Sequence, residues 1–405
     1  MSYISLGEFD KKMIYPLIAG ISKLVVNIIL YFYENDVKLN NHPFVLGINA
    51  GFGMSLAIIP YIYFLISTKK LGKENMISNN PNDDKYIDEL FQKNDPIVKK
   101  EKYLFLFLCA FLDLVQKILV FIFSYRLPFH FWIINIIFLN LFTSLLTKNP
   151  IYRHQYCSSG LMILFGILLN LFNFKKITLD NISLLVINLL IEIIFSLAIV
   201  LAKYGMDYLF CSPFEITFYE GILCLILNII FLMISSNIPI PFEKAIVCKV
   251  FFKISDYNGK QYLDNFHSYI NELQYKEVLL FLVGMFGRLI FNLFSHITIK
   301  HFTSCHVALI LLVGEIILDW KNKEIYELVF QGLFFLVEFV MILVFLEIIE
   351  LHFCGFDKNT TKNIKERAET AIYDEIDGNW KDNEGGNETD TDKSSSVNNN
   401  DVETI

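Results

Sequence analysis

Ten apolar runs divide this chain, and each has, or approaches, the roughly 20 residues that a helix needs to cross a lipid bilayer. They cover about residues 12–33, 45–67, 103–123, 129–146, 156–172, 184–201, 213–235, 278–299, 302–318 and 327–349. Hydrophobic residues make up 54% of the chain and charged residues only 19%, with the charges concentrated between the runs. A lipid-embedded body with polar loops has this pattern. The sequence therefore predicts an all-α, polytopic membrane protein with ten transmembrane helices.

The distribution of lysine and arginine predicts how these helices are oriented. If the N-terminus is cytosolic, the cytosolic segments carry 20 Lys and Arg residues and the opposite segments carry 11. Cytosolic segments of membrane proteins are enriched in these residues, so both termini are predicted to be cytosolic. Residues 357–405 carry −7 of the net charge of −8, so the acidity belongs to the tail. The absence of a basic stripe argues against a nucleic-acid partner.

The ten runs fall into two groups of five that meet near residue 177. Because five is odd, the second group enters the membrane from the opposite side, as in transporters built from inverted repeats. Residues 359–405 are rich in Asn, Asp, Ser, Thr and Glu, a composition typical of disorder. The predicted organisation is a cytosolic N-terminus (1–11), a first five-helix repeat (12–176, with a cytosolic loop at 69–102), a second repeat (177–352, with a lumenal or extracellular loop at 237–274) and a disordered acidic cytosolic tail (353–405).

Charged side chains inside the apolar runs are the candidates for function, because intramembrane charge is costly and commonly marks a substrate or ion pathway. The predicted substrate-binding residues are Lys23, Asp113, Gln116, Lys117, Glu192, Glu220, Arg288 and Glu338. Glu315 is a further acidic residue, near the end of the ninth run. The alternative for each member is a structural ion pair or hydrogen bond that fixes one helix against another.

The third run has the clearest polar face, with Cys109, Asp113, Gln116 and Lys117 at helical spacing. The alternative is a local Asp113–Lys117 pair that offsets its own insertion cost and does nothing else. Lys23 and Arg288 lie near the centres of their runs with no acidic residue one turn away. They are the best candidates for contacting an anionic substrate, such as a phosphate ester. The second run carries Gly47 and Gly51, a spacing that favours close helix packing.

The remaining motifs do not indicate an enzyme. The seven cysteines are scattered through apolar stretches, which argues against a disulfide framework or a zinc site. His296, His301 and His306 do not share one helix face, so a metal cluster is not expected. No phosphate-binding glycine loop, H-E-x-x-H or G-x-S-x-G motif is present. No metal, cofactor or catalytic residue is therefore predicted.

Three segments carry a family resemblance: HPFVLGINAGFGMSLAIIP from His42, AKYGMDYLFCSPFEITFYEG from Ala202, and FNLFSHITIKHFTSCHVALIL from Phe291. On these residues the chain resembles the drug/metabolite transporter superfamily. More narrowly, it resembles the EamA-type, nucleotide-sugar transporter-like proteins of eukaryotic solute carrier family 35. The resemblance implies ten spans, cytosolic termini, an inverted repeat and a Golgi or endoplasmic reticulum membrane. It also implies exchange of nucleotide sugars for nucleoside monophosphates. The FYNN and GALNK stretches of GDP-mannose carriers are absent.

Two functions from different classes follow. The first is a secondary transporter that moves a polar, anionic metabolite by alternating access. Its partners would be a small-molecule substrate and the lipid bilayer, and a homodimer is left open. The alternative is a non-transporting membrane scaffold or receptor, whose loop at 69–102 and acidic tail recruit other proteins. Another endomembrane remains an alternative to the Golgi and endoplasmic reticulum.

Overall fold

The structure is a computed structural model that describes residues 4–6, 14–36, 42–63, 65–66, 96–123, 132–147, 152–173, 179–241, 255–302, 304–307, 310–311, 325–345, 347 and 349–351. All of them belong to the first of two units, Met1–Leu351. The second unit, His352–Ile405, contains the predicted tail and lies outside the described residues. Most of the predicted cytosolic loop and most of the ninth apolar run also lie outside them.

Helices dominate the described part of the chain, as predicted. They are α1 (Ile14–Asp36), α2 (Pro43–Ser55), α3 (Pro96–Phe123), α4 (Trp132–Thr147), α5 (Arg153–Asn173), α6 (Leu179–Tyr208), α7 (Pro213–Asn237), α8 (Phe266–Glu272), α9 (Tyr275–His301) and α10 (Ile325–Phe345). Four short strands accompany them: β1 (Ile4–Leu6), β2 (Ser255–Tyr257), β3 (Lys260–Tyr262) and β4 (Ile349–Leu351). Every predicted span except the ninth coincides with one of these helices.

Five described helical segments are long and apolar enough to cross a membrane. They are Pro43–Tyr63, Lys100–Val120, Val186–Tyr208, Pro213–Asn237 and Tyr275–His301. Shorter apolar stretches run over Ile14–Ile29, Asn135–Leu146 and Gly332–Phe345. The chain is therefore compatible with an integral membrane protein.

The outer surface of the helices is apolar. Leu104 is 70% exposed, Ile59 66% and Met233 65%. Large exposed apolar surfaces are unfavourable in water. Contact with lipid accounts for such a surface, while the polar side chains described below point inward.

Local sequence signals fix where the long helices begin. At the start of α7, the Ser212 hydroxyl accepts a hydrogen bond from the Glu215 backbone, and the Glu215 carboxylate accepts one from the Ser212 backbone. Pro213 occupies the first helical position, where its missing N–H is not needed. Glu277 gives α9 a similar start by accepting a hydrogen bond from the backbone of Gln274. These caps satisfy backbone groups that the first turn of a helix leaves open.

Glycines bring α2 and α7 into close contact. A Cβ at Gly51 would overlap the backbone of Leu225 on α7, and a Cβ at Gly221 would overlap the backbone of Ser55. A Cβ at Gly47 would overlap the Asn228 side chain. The small residues singled out in the second apolar run therefore lie at a helix crossing that admits no side chain.

The other helices pack in a defined set of pairs. Helix α1 packs on α9, α3 on α6 and α7, α9 on α2, α4 on α6, and α5 on α10. The largest buried apolar cluster lies among α3 to α7, α9 and α10, and includes Leu139, Val200 and Ile216. These pairings place the inner faces of α2, α3, α7 and α9 next to one another.

Part of the predicted lumenal insertion is folded against this helical body. Strands β2 and β3 form a hairpin whose turn contains Asn258 and Gly259, both at positive φ. Asn-Gly is the preferred pair for a two-residue hairpin turn, because both positions need a left-handed backbone. Helix α8 follows, with Asn265 as its N-cap. The Asn-Gly pair was a readable signal within a segment interpreted only as a polar loop.

A buried His–Asp contact joins this insertion to the start of α2. The Asp264 carboxylate lies 2.7 Å from His42 Nδ1 and accepts a 2.8 Å hydrogen bond from the Phe44 backbone. Tyr269 of α8 packs edge-on against the His42 ring. Burial, together with the nearby Glu277 charge, raises the pKa of the Tyr269 phenol above its usual value. The contact thereby couples the position of the insertion to that of α2.

The two ends of the helical body meet in a short ladder. Strand β1 pairs antiparallel with β4, with Ile4 opposite Leu351 and Leu6 opposite Ile349. Strand β1 precedes α1 and β4 follows α10, so these two ends of the described helical body lie next to each other.

Candidate functional site

A group of polar side chains from α3, α7 and α9 lies inside the helical body. Asp113 and Lys117, one turn apart on α3, form an ion pair. The Lys117 side chain is 11% exposed and that of Asp113 is 12% exposed. The Lys117 ammonium also donates to the Met54 sulfur of α2 over 3.0 Å. A thioether is a weak acceptor, so this contact replaces little of the hydration that the ammonium has lost.

The second part of the group links α7 to α9. His296 Nε2 lies 3.4 Å from Glu220 Oε1, and His296 Nδ1 lies 2.9 Å from the Thr217 hydroxyl. Thr217 and Glu220 are one turn apart on α7, so a single imidazole ring reaches both. Thr217, Glu220 and His296 are 0%, 4% and 7% exposed. We call Asp113, Lys117, Thr217, Glu220 and His296 the central cluster.

The two parts of the central cluster interact electrostatically. The Glu220 carboxylate acts on both Asp113 and Lys117, and His296 acts on Asp113. Arg288 of α9 reaches the same region, because its charge acts on the Cys224 thiol beside Lys117. Acidic and basic groups of the predicted site therefore share one interior region, although they come from runs far apart in sequence.

The central cluster has hydrogen-bonding capacity that the described residues do not use. The Oε2 atom of Glu220 is buried and has no hydrogen-bond partner within the described part of the chain. The Lys117 ammonium has three donors. Its described acceptors are Asp113 and Met54. A buried acceptor and a buried donor are thus left in the same region. An unmade hydrogen bond of this kind costs about 1–3 kcal/mol.

Two of the remaining predicted residues lie on α1 and α9, which pack against each other. A Cβ at Gly287 would lie 2.8 Å from Val26 and 3.9 Å from the Ser22 carbonyl. Lys23 and Arg288 are the chain neighbours of these contact residues, so their backbones lie at one level of the α1–α9 crossing. Both side chains are half-buried, and both have interaction partners.

Three other predicted residues fall on α3, α6 and α10. Gln116 is half-buried on α3. Glu192 is half-buried on α6, one turn before Ser196, whose hydroxyl donates to Asn135 of α4 over 2.9 Å. Glu338 falls on α10, but its side chain lies outside the described residues, as does Glu315.

Sequence reasoning missed Thr217 and His296. His296 was considered only as one of three regularly spaced histidines, and their spacing argued against a metal site. Its position inside an apolar run was the usable signal, since a buried imidazole needs hydrogen-bond partners. Thr217 precedes Glu220 by three residues and so shares its helix face. Neither signal shows which other helix these side chains contact.

A second buried ion pair lies at the ends of α3 and α7. Lys102 Nζ is 2.7 Å from Glu215 Oε2, with the two side chains 12% and 6% exposed. Glu215 is also hydrogen-bonded to Tyr61, at the far end of the second span. Lys102 was interpreted as a loop charge, but it holds the end of α3 against the start of α7. Because the Glu215 carboxylate is fully engaged, this pair is a structural contact.

Within the described residues, no three His, Cys, Asp or Glu side chains are grouped so as to hold a metal ion. No protein-family model matches the chain, and no curated protein matches its sequence.

Proposed function

We propose that the chain is a secondary transporter that moves a polar, anionic metabolite by alternating access. The observation that carries the proposal is the central cluster. It is buried between helices of both predicted repeats and, within the described part of the chain, retains an acceptor on Glu220 and a donor on Lys117 that no residue uses. Ionisable groups in such a place usually line a substrate or ion pathway. A solute with both hydrogen-bond donors and acceptors would satisfy these two groups.

The packing of the helices supports the inverted repeat on which alternating access depends. In a five-plus-five repeat, α1 corresponds to α6, α2 to α7, α3 to α9 and α5 to α10. When both helices of a contact are replaced by their counterparts in the other repeat, the α1–α9 contact becomes an α6–α3 contact. In the same way, the α3–α7 contact becomes an α9–α2 contact. All four contacts are present. The α2–α7 and α5–α10 contacts map onto themselves. Packing that is unchanged by the exchange is expected for two related halves.

The pairing of the chain ends supports the same topology. Strands β1 and β4 are hydrogen-bonded neighbours, as an even number of membrane crossings between them would require. Ten spans satisfy this condition, and both ends of the body then lie in the cytosol if the positive charges are distributed as predicted.

Preference for an anion follows from the cations near the centre of the body. Lys117 and Arg288 both act on the region around Cys224, and Lys23 lies at the level of Arg288 on the adjacent helix. Cations in a low-dielectric interior attract phosphate and carboxylate groups strongly. Nucleotide sugars and nucleoside monophosphates are therefore the first solutes to test, and Golgi or endoplasmic reticulum membranes the first locations.

The test is exchange transport in liposomes that contain the purified full chain. The vesicles are loaded with unlabelled nucleoside monophosphates, and uptake of radiolabelled nucleotide sugars is measured. The variant Asp113→Asn/Lys117→Met removes the buried pair without leaving one charge alone. The matched control, Lys203→Met/Asp207→Asn, removes an ion pair of the same spacing at the more exposed end of α6, where the charges are 3.1 Å apart.

The proposal expects the wild type and the control to exchange solute, and the central variant to lose exchange while remaining folded. Equal exchange by both variants would show that the Asp113–Lys117 pair is not part of the transport pathway. If the wild type shows no exchange, nucleotide sugars are not its substrates. A variant truncated before Asn359 distinguishes the transporter from the alternative, a scaffold or receptor. A transporter should keep its solute flux without the tail, whereas a scaffold should lose its binding partners.

A further inference from the structure

Thr217, His296 and Glu220 contact one another in sequence: a hydrogen bond joins Thr217 to His296, and an ion-pair contact joins His296 to the buried Glu220 carboxylate. The Thr217 hydroxyl lies 2.8 Å from the Pro213 carbonyl and 2.9 Å from His296 Nδ1. On the other side of the ring, His296 Nε2 lies 3.4 Å from Glu220 Oε1. The Thr217 hydroxyl has one proton to donate and faces two acceptors, so its orientation depends on the protonation state of the imidazole.

This geometry accommodates two states that differ by one proton. In the first, Thr217 donates to Pro213, His296 Nδ1–H donates to Thr217, and a further proton lies between Nε2 and Glu220. In the second state one proton has left the imidazole–carboxylate pair, the single remaining imidazole proton is on Nε2 and faces the Glu220 carboxylate, and Thr217 turns to donate to the bare Nδ1. A change of imidazole tautomer and rotation of one hydroxyl interconvert these two patterns, so no helix has to move when the proton leaves.

The charges around the triad make the two states unequal. Its electrostatic neighbours are Cys109, Asp113 and Lys117 on α3 and Cys224 on α7, and Arg288 on α9 acts on Cys224. The second span contributes the Met54 thioether, and its sequence contains no charged residue. Asp113, Lys117, Glu220 and His296 together are neutral with the proton bound and carry one negative charge without it, and Arg288 adds one positive charge to either state. Loss of the proton therefore makes the region more negative by one charge, which disfavours the entry of an anion.

We propose that Thr217, His296 and Glu220 form a proton-binding site that couples solute movement to proton movement. The proton is taken up from the aqueous compartment to which the site is open and returned to the other one, with no other bond made or broken. The bound proton cancels one negative charge that would otherwise repel an anionic solute. The proton and the anion therefore bind inside the helical body at the same time. This coupling rests on the proposed transport function, whereas the proton-binding site itself does not.

Infrared difference spectroscopy tests the proton site on the full chain without any solute. Spectra are compared across about pH 5 to 8, the range in which histidine commonly changes charge. The wild type should show a pH-dependent carboxyl or imidazole band that Glu220→Gln and His296→Gln both remove. Glu215→Gln is the control, because the Glu215 carboxylate is held by Lys102 and a helix cap. A wild type without such a band, or variants that keep it, would overturn the proposal.

The coupling is tested by the pH dependence of nucleotide-sugar exchange in the liposomes described above. Exchange by the wild type and by Glu215→Gln should change with pH across the same range. Any exchange that remains in Glu220→Gln should be independent of pH. A pH-independent wild type overturns the coupling, whereas absent wild-type exchange overturns nucleotide-sugar transport and leaves the infrared result to decide the proton site.

Discussion

The Asp113–Lys117 pair offers the sharpest test of the interior described above, through a double-mutant cycle. Lys117→Met keeps the length of the side chain and removes its charge, which leaves the Asp113 carboxylate buried without its ammonium partner. Breaking a buried ion pair in this way costs about 3–5 kcal/mol. Asp113→Asn leaves the ammonium near Glu220, whose charge already acts on it. This substitution should therefore cost less, about 1–3 kcal/mol.

The double variant removes both charges and leaves a neutral pair of similar volume. Replacing a buried ion pair by neutral groups is often neutral or stabilising. A fully neutral double variant would give a coupling equal to the summed single costs, about 4–8 kcal/mol. Because Glu220 also interacts with Lys117, the double variant keeps part of that cost, and we expect a coupling of about 2–3 kcal/mol, at the upper end of measured values. The same cycle at Lys203 and Asp207 should give about 0.3–0.5 kcal/mol, because that pair is more exposed.

The measurement is reversible unfolding in mixed micelles, followed by circular dichroism. All four members of each cycle are unfolded under identical conditions, so the coupling energy comes from differences rather than from absolute stabilities. Additive effects within about 0.5 kcal/mol at the central pair would refute the reasoning, because they would mean that the two charges do not interact inside the protein.

Three further predictions follow from the packing. Gly51→Ala should destabilise the fold by about 1–3 kcal/mol, because the added Cβ would overlap α7. Gly160→Ala should be tolerated, because a Cβ there meets nothing within 4 Å. Thermal unfolding of both variants in detergent tests this difference. Cysteines at Ser5 and Glu350, which face each other across the β1–β4 ladder, should form a disulfide seen on non-reducing gels, and failure to do so contradicts same-side ends. Asp264→Ala should release the β2–β3–α8 segment and accelerate its proteolysis, while unchanged cleavage would mean that the His42 contact does not hold the insertion.

The central cluster shows what could be predicted at the site. Asp113, Lys117 and Glu220 were identifiable because a charge inside an apolar run is visible in the sequence itself. Their partners were not identifiable, since His296 lies 79 residues from Thr217 along the chain. The Lys102–Glu215 pair was missed for the same reason, because a residue at the edge of a span resembles a loop charge until its partner helix is known.

The sequence alone determined the helical, membrane-compatible character of the chain. The backbone N–H and C=O groups of an apolar run in lipid can be hydrogen-bonded within the run itself, so such a run can form a helix without reference to the others. Local signals such as Ser212 with Glu215, and Asn258 with Gly259, likewise determined helix starts and a turn. Tertiary structure decided which helices touch, and hence that Glu220 meets His296 and that Lys117 lies near both. In lipid these choices depend on the close fit of small residues and on interhelical polar contacts, which join positions far apart in the chain.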